Sequence, residues 1–302
     1  MKQVLRHLVS ISVLAAFAWH ALAHPGSGIV VDRKGQVFFS DTGQGVWKID
    51  RAGKLVFFHK SAFHWMAIDQ EGSFTRSRSL STGRRDAAFE RITAEGGKPA
   101  LITSSDYPIT VGRDRNLYYA PYRREGPMQI VRQTPEGNTS VLATINADTE
   151  GDRIQWVNGI ATGPDGSIYF SENSAVRKIT MQGDVWVLAS RIQVPGCSTD
   201  RVPEMPPGPY LRGLAVDSRG VVYVAANGCR SLLKITPRGE VSVVLQAPSP
   251  WSPTGVAFHR GQIYVLEYDH TPVKERQWPP RVRKIASNGK VTTLATVERK
   301  QK

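Results

Sequence analysis

One short phrase, repeated six times, constrains this chain more than any other feature. It runs small residue, apolar, any residue, apolar, often Asp, then a turn and an apolar-aromatic run. The copies are Gly28-Ile29-Val30-Val31-Asp32, Trp65-Met66-Ala67-Ile68-Asp69, Pro108-Ile109-Thr110-Val111, Gly159-Ile160-Ala161-Thr162, Gly213-Leu214-Ala215-Val216-Asp217 and Gly255-Val256-Ala257-Phe258. Each is followed by a second strand-like segment: Val37–Phe39, Phe74–Arg76, Leu117–Tyr119, Ile168–Phe170, Val222–Val224 and Ile263–Val265. Gly35, Gly72, Gly166, Gly220 and Gly261 stand between the two, as tight hairpins with positive φ require. The third copy carries Arg115-Asn116 instead, and asparagine tolerates that backbone better than most residues.

A second hairpin closes each repeat, with first strands such as Trp47-Lys48-Ile49, Arg177-Lys178-Ile179, Leu233-Lys234-Ile235 and Arg283-Lys284-Ile285. The second and third copies are looser, at Arg91-Ile92 and Ile130-Val131. Short alternating strands with regular turns and no helical periodicity predict an all-β fold with no helix longer than two turns. Four strands per repeat and six repeats predict a six-bladed β-propeller, because radial closure removes the edges an open sheet would expose. Trp47 and Trp186 are expected to pack between blades. The first copy opens with an inner strand and the last ends with an outer one, so the ring is expected to close without a shared blade.

The first residues read differently. Lys2 and Arg6, an apolar stretch from Leu8 to Leu22 and Ala21-Leu22-Ala23 make a secretory signal over residues 1–23. The stretch is too short and too interrupted, by Ser10, Ser12 and His20, for a membrane span. Residues 24–302 are then one secreted or periplasmic domain with no transmembrane segment, expected as a monomer. With 23 of the 302 residues removed, 279 remain, about 46 per blade, inside the range of known propeller repeats. The net charge is +13, of which Lys2 and Arg6 contribute two, leaving +11 on the exported part. That balance fits an anionic envelope polymer as partner, or plain solubility. Nucleic acid is disfavoured, because the basic residues are scattered and the chain is exported. The two cysteines, Cys197 and Cys229, predict a disulfide in an oxidising compartment, holding the Pro-rich insertion from Arg191 to Leu211 over one end of the ring.

The phrase Asn158-Gly159-Ile160-Ala161-Thr162-Gly163-Pro164-Asp165-Gly166-Ser167-Ile168-Tyr169-Phe170 resembles NHL repeats. It is also similar to the regucalcin/gluconolactonase-like propellers and to the virginiamycin B lyase repeats. In those families the residue before each inner strand faces the mouth of the central channel. By that resemblance the ring here is Ser27, His64, Tyr107, Asn158, Arg212 and Thr254, with Glu172, Glu267 and His270 beyond the second strands. The resemblance implies three activities. A small polar or anionic ligand would meet Tyr107, Asn158 and Arg212, with Trp156 and Trp251 on the rim. A lactonase would hold a divalent metal such as Ca²⁺ through a Glu, an Asn and an Asp. Asn158 matches that Asn, while the other two positions are Ser27 and Arg212, and a guanidinium beside a divalent ion is costly. A lyase would use His64 or His270 as base and Glu172 or Glu267 to orient it.

Overall fold

The computed structural model describes residues 25–60, 63–74, 89–93, 100–104, 107–121, 126–145, 156–197, 202, 208–271 and 278–298. They form six antiparallel sheets arranged as blades. Blade one is β1 (Ile29–Val31), β2 (Val37–Asp41), β3 (Gly45–Ile49) and β4 (Leu55–His59). Blade two is β5 (Trp65–Asp69), β6 (Phe89–Thr93) and β7 (Ala100–Ser104). Blade three is β8 (Ile109–Val111), β9 (Leu117–Tyr119), β10 (Met128–Gln133) and β11 (Thr139–Ile145). Blade four is β12 (Gly159–Thr162), β13 (Ile168–Ser171), β14 (Val176–Ile179) and β15 (Val185–Ala189). Blade five is β16 (Leu211–Val216), β17 (Val222–Ala226), β18 (Ser231–Ile235) and β19 (Val241–Gln246). Blade six is β20 (Trp251–His259), β21 (Gln262–Asp269), β22 (Pro280–Ile285) and β23 (Val291–Thr296). The one helical turn among the described residues is the short 3₁₀ segment Asn227–Cys229.

The inner strands meet in sequence around an axis: β1 on β5, β5 on β8, β8 on β12, β12 on β16, β16 on β20, and β20 back on β1. The small residue that opens most copies of the repeat is dictated by this convergence. A Cβ on Gly159 would sit 2.5 Å from the carbonyl oxygen of Arg212, and one on Gly213 would sit 2.9 Å from that of Thr254. On Gly255 it would sit 2.4 Å from the carbonyl of Ser27, which carries the contact from blade six to blade one. The ring therefore closes between two complete four-stranded sheets, with no strand shared across the seam. Tyr268 donates its hydroxyl proton to the carbonyl of Ser40 across that seam, at 2.7 Å.

Buried side chains fall into six clusters, one at each blade interface. Phe39 and Val37 point toward blade six, whereas Phe38 between them packs with Met66 and Leu101 of blade two. Both faces of each blade are covered, so second strands read as continuous apolar runs rather than as alternating ones.

Three expectations are corrected. The second blade does not place Phe74–Arg76 as its second strand. Phe74 is buried in a turn, its N–H donating to Asp69 Oδ2 at 2.7 Å, while Thr75 and Arg76 lie outside the described residues. The strand beside β5 is β7, with β6 on its far side, giving three strands among the described residues. Ala100-Leu101-Ile102-Thr103-Ser104 is buried throughout, so it suits that inner position better than a segment carrying Arg76. Trp186 does not pack between blades: it is 63% exposed on β15, an outermost strand, where adjacent blades diverge. Trp47 is partly buried, edge-on to Phe57 at 5.3 Å. In the third blade the residue with positive φ is Arg115, at 66°, not Asn116. It stands where Gly166 stands in blade four, and a side chain there is strained. Arg115→Gly should therefore raise stability by about 0.5–1 kcal/mol, after the entropy cost of glycine. Chemical denaturation of the two forms reads this as a higher midpoint at unchanged slope.

Candidate functional site

The six inner strands are all sheet edges, so their outward-lying N–H and C=O groups face the axis. The channel they enclose has a volume of about 300 Å³. Ser27, Trp65 and Gly213 line it at one end, and Gln70 and His259 at the turn end. Of the ring residues named from the sequence, Ser27 alone lines the channel, and Arg212 directly precedes the lining Gly213.

Arg212 lies behind this end, against the channel-lining Trp65. Its guanidinium is buried, and Nη2 donates to the carbonyl of Pro25 at 2.7 Å. It lies over the Trp65 ring, 5.9 Å from the centroid, in cation–π contact. Among the described residues it forms no ion pair. Burial pulls its pKa below the usual guanidinium value, partly offset by Tyr210 and Tyr268. A buried, unpaired cation is costly, and an anion arriving at its remaining donors would relieve that cost. Asn158 is its neighbour in the ring, with Nδ2 donating to Asn173 Oδ1 at 3.2 Å. Ser27 is buried, and among the described residues its hydroxyl finds no hydrogen-bond partner. Half-buried His64 contributes its backbone carbonyl, which accepts from the N–H groups of Ser27 and Gly28 at 2.7 and 2.9 Å.

The remaining candidates are engaged elsewhere. Tyr107 is not on the rim: it is 3% exposed and stacks on Tyr119 with 5.9 Å between centroids. Trp156 does stand out, 47% exposed. Trp251 carries the Arg281 guanidinium on its face at 4.1 Å. Glu172 is ion-paired with Arg177. Glu267 is fully buried and held by Arg281 at 2.6 Å and by Arg283 at 2.7 Å. Thr254 is fully buried.

His270 lies in a closed polar pocket. Asn227 Nδ2 is 3.0 Å from Ser252 Oγ and 3.4 Å from His270 Nε2, while Nδ1 of the imidazole is buried without a partner among the described residues. Burial, then the Arg230 and Arg212 guanidiniums, push its pKa down to about 4. The neutral ring is thus the folded form. Below the ordinary histidine value of about 6.5 the unfolded chain takes up a proton that the folded chain refuses, so stability present above that pH is lost on acidification toward 4. The loss should be about 3 kcal/mol over that window, and thermal melts of His270→Asn should show most of it removed. Burial lowers the His259 pKa as well, which adds to the loss in the same direction.

Sequence reasoning missed Trp65 and Pro25. Trp65 opens an inner strand, and an aromatic where four other copies have glycine is a visible departure. The donor set does not fit a divalent ion. The side chains gathered here are the neutral Asn158 and Ser27 beside the Arg212 cation, and among the described residues no three His, Cys, Asp or Glu side chains converge. The disulfide is formed, with the Cα atoms of Cys197 and Cys229 4.8 Å apart.

Residues 125–266 match the family described as SMP-30/Gluconolactonase/LRE-like region. Mouse teneurin-1 is 26% identical over 189 residues, which is 56% of this chain, and the chain spans 7% of teneurin-1. Three solved structures share the architecture. A gluconolactonase from Xanthomonas campestris has a TM-score of 0.53 at 14% identity, covering 81% of this chain and 84% of its own. The calcium-binding protein regucalcin from Agrobacterium tumefaciens has 0.52 at 16%, covering 80% and 81%. Virginiamycin B lyase from Staphylococcus aureus has 0.51 at 16%, covering 89% and 83%. At such identities the likeness is one of fold.

Proposed function

We propose that this six-bladed propeller, related to the gluconolactonase, regucalcin and virginiamycin B lyase propellers, is exported and binds a small anionic ligand at its channel mouth through Arg212. The observation that carries the reading is the buried guanidinium without an ion pair among the described residues, stacked on Trp65 beside Asn158. Arginine offers five donors in a planar fork that matches carboxylate or phosphate, and the carbonyl of Pro25 takes one of them. The disulfide supports an oxidising compartment, and no helix of the described residues is long and apolar enough to cross a membrane. The +11 charge of the exported part supports an anionic envelope polymer as surroundings or second partner.

The test is a panel of carboxylates and phosphates screened by ligand-induced thermal shift, with titration of any that respond. Arg212→Ala should weaken binding roughly 10–100-fold, the worth of a hydrogen bond to a charged group. Binding that ignores Arg212 would remove the reading. A hydrolase is the second reading, favoured by the family match over 125–266, which includes Asn158. Lactone hydrolysis that requires an added divalent ion and is lost in Asn158→Ala would restore it.

A further inference from the structure

The segment leading into the first strand lies across the same mouth. Pro25, Gly26, Ser27 and Gly28 are all buried, although they precede β1. Arg212 reaches 187 residues along the chain to the Pro25 carbonyl. Proline has no N–H, so that carbonyl is the one backbone polar group Pro25 presents. Gly26 is wedged at the seam: a Cβ there would lie 2.7 Å from Ser40 Oγ, 3.1 Å from the Tyr268 hydroxyl and 3.2 Å from the Thr42 methyl. Ser27 follows, lining the channel.

Building on the anion-site reading, we propose that Pro25–Ser27 is an intramolecular competitor for that site, so that ligand and segment exclude one another at Arg212. The Pro25 carbonyl is a neutral acceptor on one arm of the guanidinium fork. A carboxylate or phosphate binds the same fork through two charge-assisted hydrogen bonds and needs that arm free. The carbonyl thus fills the site without neutralising it, which leaves the cation's burial cost in place for an anion to relieve. The segment is held by a few hydrogen bonds and by packing around Gly26, which a charged ligand can outbid.

The test is isothermal titration with inorganic phosphate of two chains, one beginning at His24 and one at Ser27, each with and without Arg212→Ala. The shorter chain should bind phosphate roughly tenfold tighter, and Arg212→Ala should weaken binding roughly 10–100-fold in both. Gly26→Ala in the longer chain, which pushes the segment off Ser40, should move affinity the same way. Hydrogen exchange on the intact chain reads the competition without any truncation: saturating phosphate should speed exchange in the peptide covering residues 24–30. Equal affinities with binding still weakened in Arg212→Ala, or slower exchange under phosphate, would overturn the competition and leave the anion site standing. Phosphate binding that is absent everywhere, or indifferent to Arg212, would overturn the site and the competitor together.

Discussion

Replacing Glu267 by alanine should destabilise the protein by about 3–5 kcal/mol, the largest effect expected of any single side chain outside the glycine ring. Glu267 is fully buried on β21, and two arginines of the neighbouring strand share its carboxylate. Their side chains are only 12% and 11% exposed, so without the carboxylate two guanidiniums remain among apolar neighbours with no counter-charge from Glu267. Burial already lowers the pKa of Arg281, and Glu267 is the main influence opposing this. Glu267→Gln should cost nearly as much, because it keeps the shape and removes the charge. The triple change Glu267→Leu, Arg281→Met, Arg283→Met should recover most of the loss, since the cost of the single change is an orphaned charge rather than a missing attraction. Urea denaturation of the three forms decides it. If Glu267→Ala costs under about 1 kcal/mol, the cluster is hydrated and the argument fails.

Removing the disulfide should cost about 3–4 kcal/mol, by the loop-closure entropy of a span with sequence separation 32. Cys229 is 1% exposed and packs with Ile192, Val194 and Leu211, so the suitable change is Cys197→Ala with Cys229→Ala. The bridge tethers a segment that also touches the blade through the Val202 N–H on the Gly228 carbonyl at 3.0 Å. Thermal melts of the double variant and of the reduced parent should agree. A loss below about 1 kcal/mol would mean that Val202 and its neighbours hold the insertion unaided.

Much of this architecture was legible because the repeat is a physical requirement stated six times. Gly159, Gly213 and Gly255 recur because neighbouring backbones touch there, and Val37-Phe38-Phe39 is apolar throughout because both faces of the blade are covered. The second blade was not legible. Its two β6–β7 strands return in reverse order beside β5, and local pattern does not encode which strand pairs inside. Arg115 was passed over for Asn116 because propensity favours asparagine, whereas the turn's geometry selects the position equivalent to Gly166. At the mouth, Arg212 and Asn158 could be placed by their position in the repeat, but burial and partners could not. Glu267 and His270 read as chemistry from their spacing alone. Register gives Glu267 two arginines, one of them directly opposite on β22, and packing gives His270 a low pKa. Arg281-Val282-Arg283 opposite a buried strand acid is a signal that strand alignment would have exposed.

The seam between blades six and one has a kinetic meaning. At every other junction the polypeptide itself passes from one blade to the next, so neighbours meet over short stretches of chain. Here Tyr268 and Ser40 find each other across 228 residues, and Arg260 reaches the Arg33 carbonyl across 227. Contacts of such separation carry the greatest loop-closure entropy and form late in folding. The ring can part at this joint into an open arc without unpairing a single strand, because each flanking sheet is complete on its own. The molecule is held as a circle by a side-chain latch, and the residue beneath that latch, Gly26, belongs to the same segment that reaches across to Arg212.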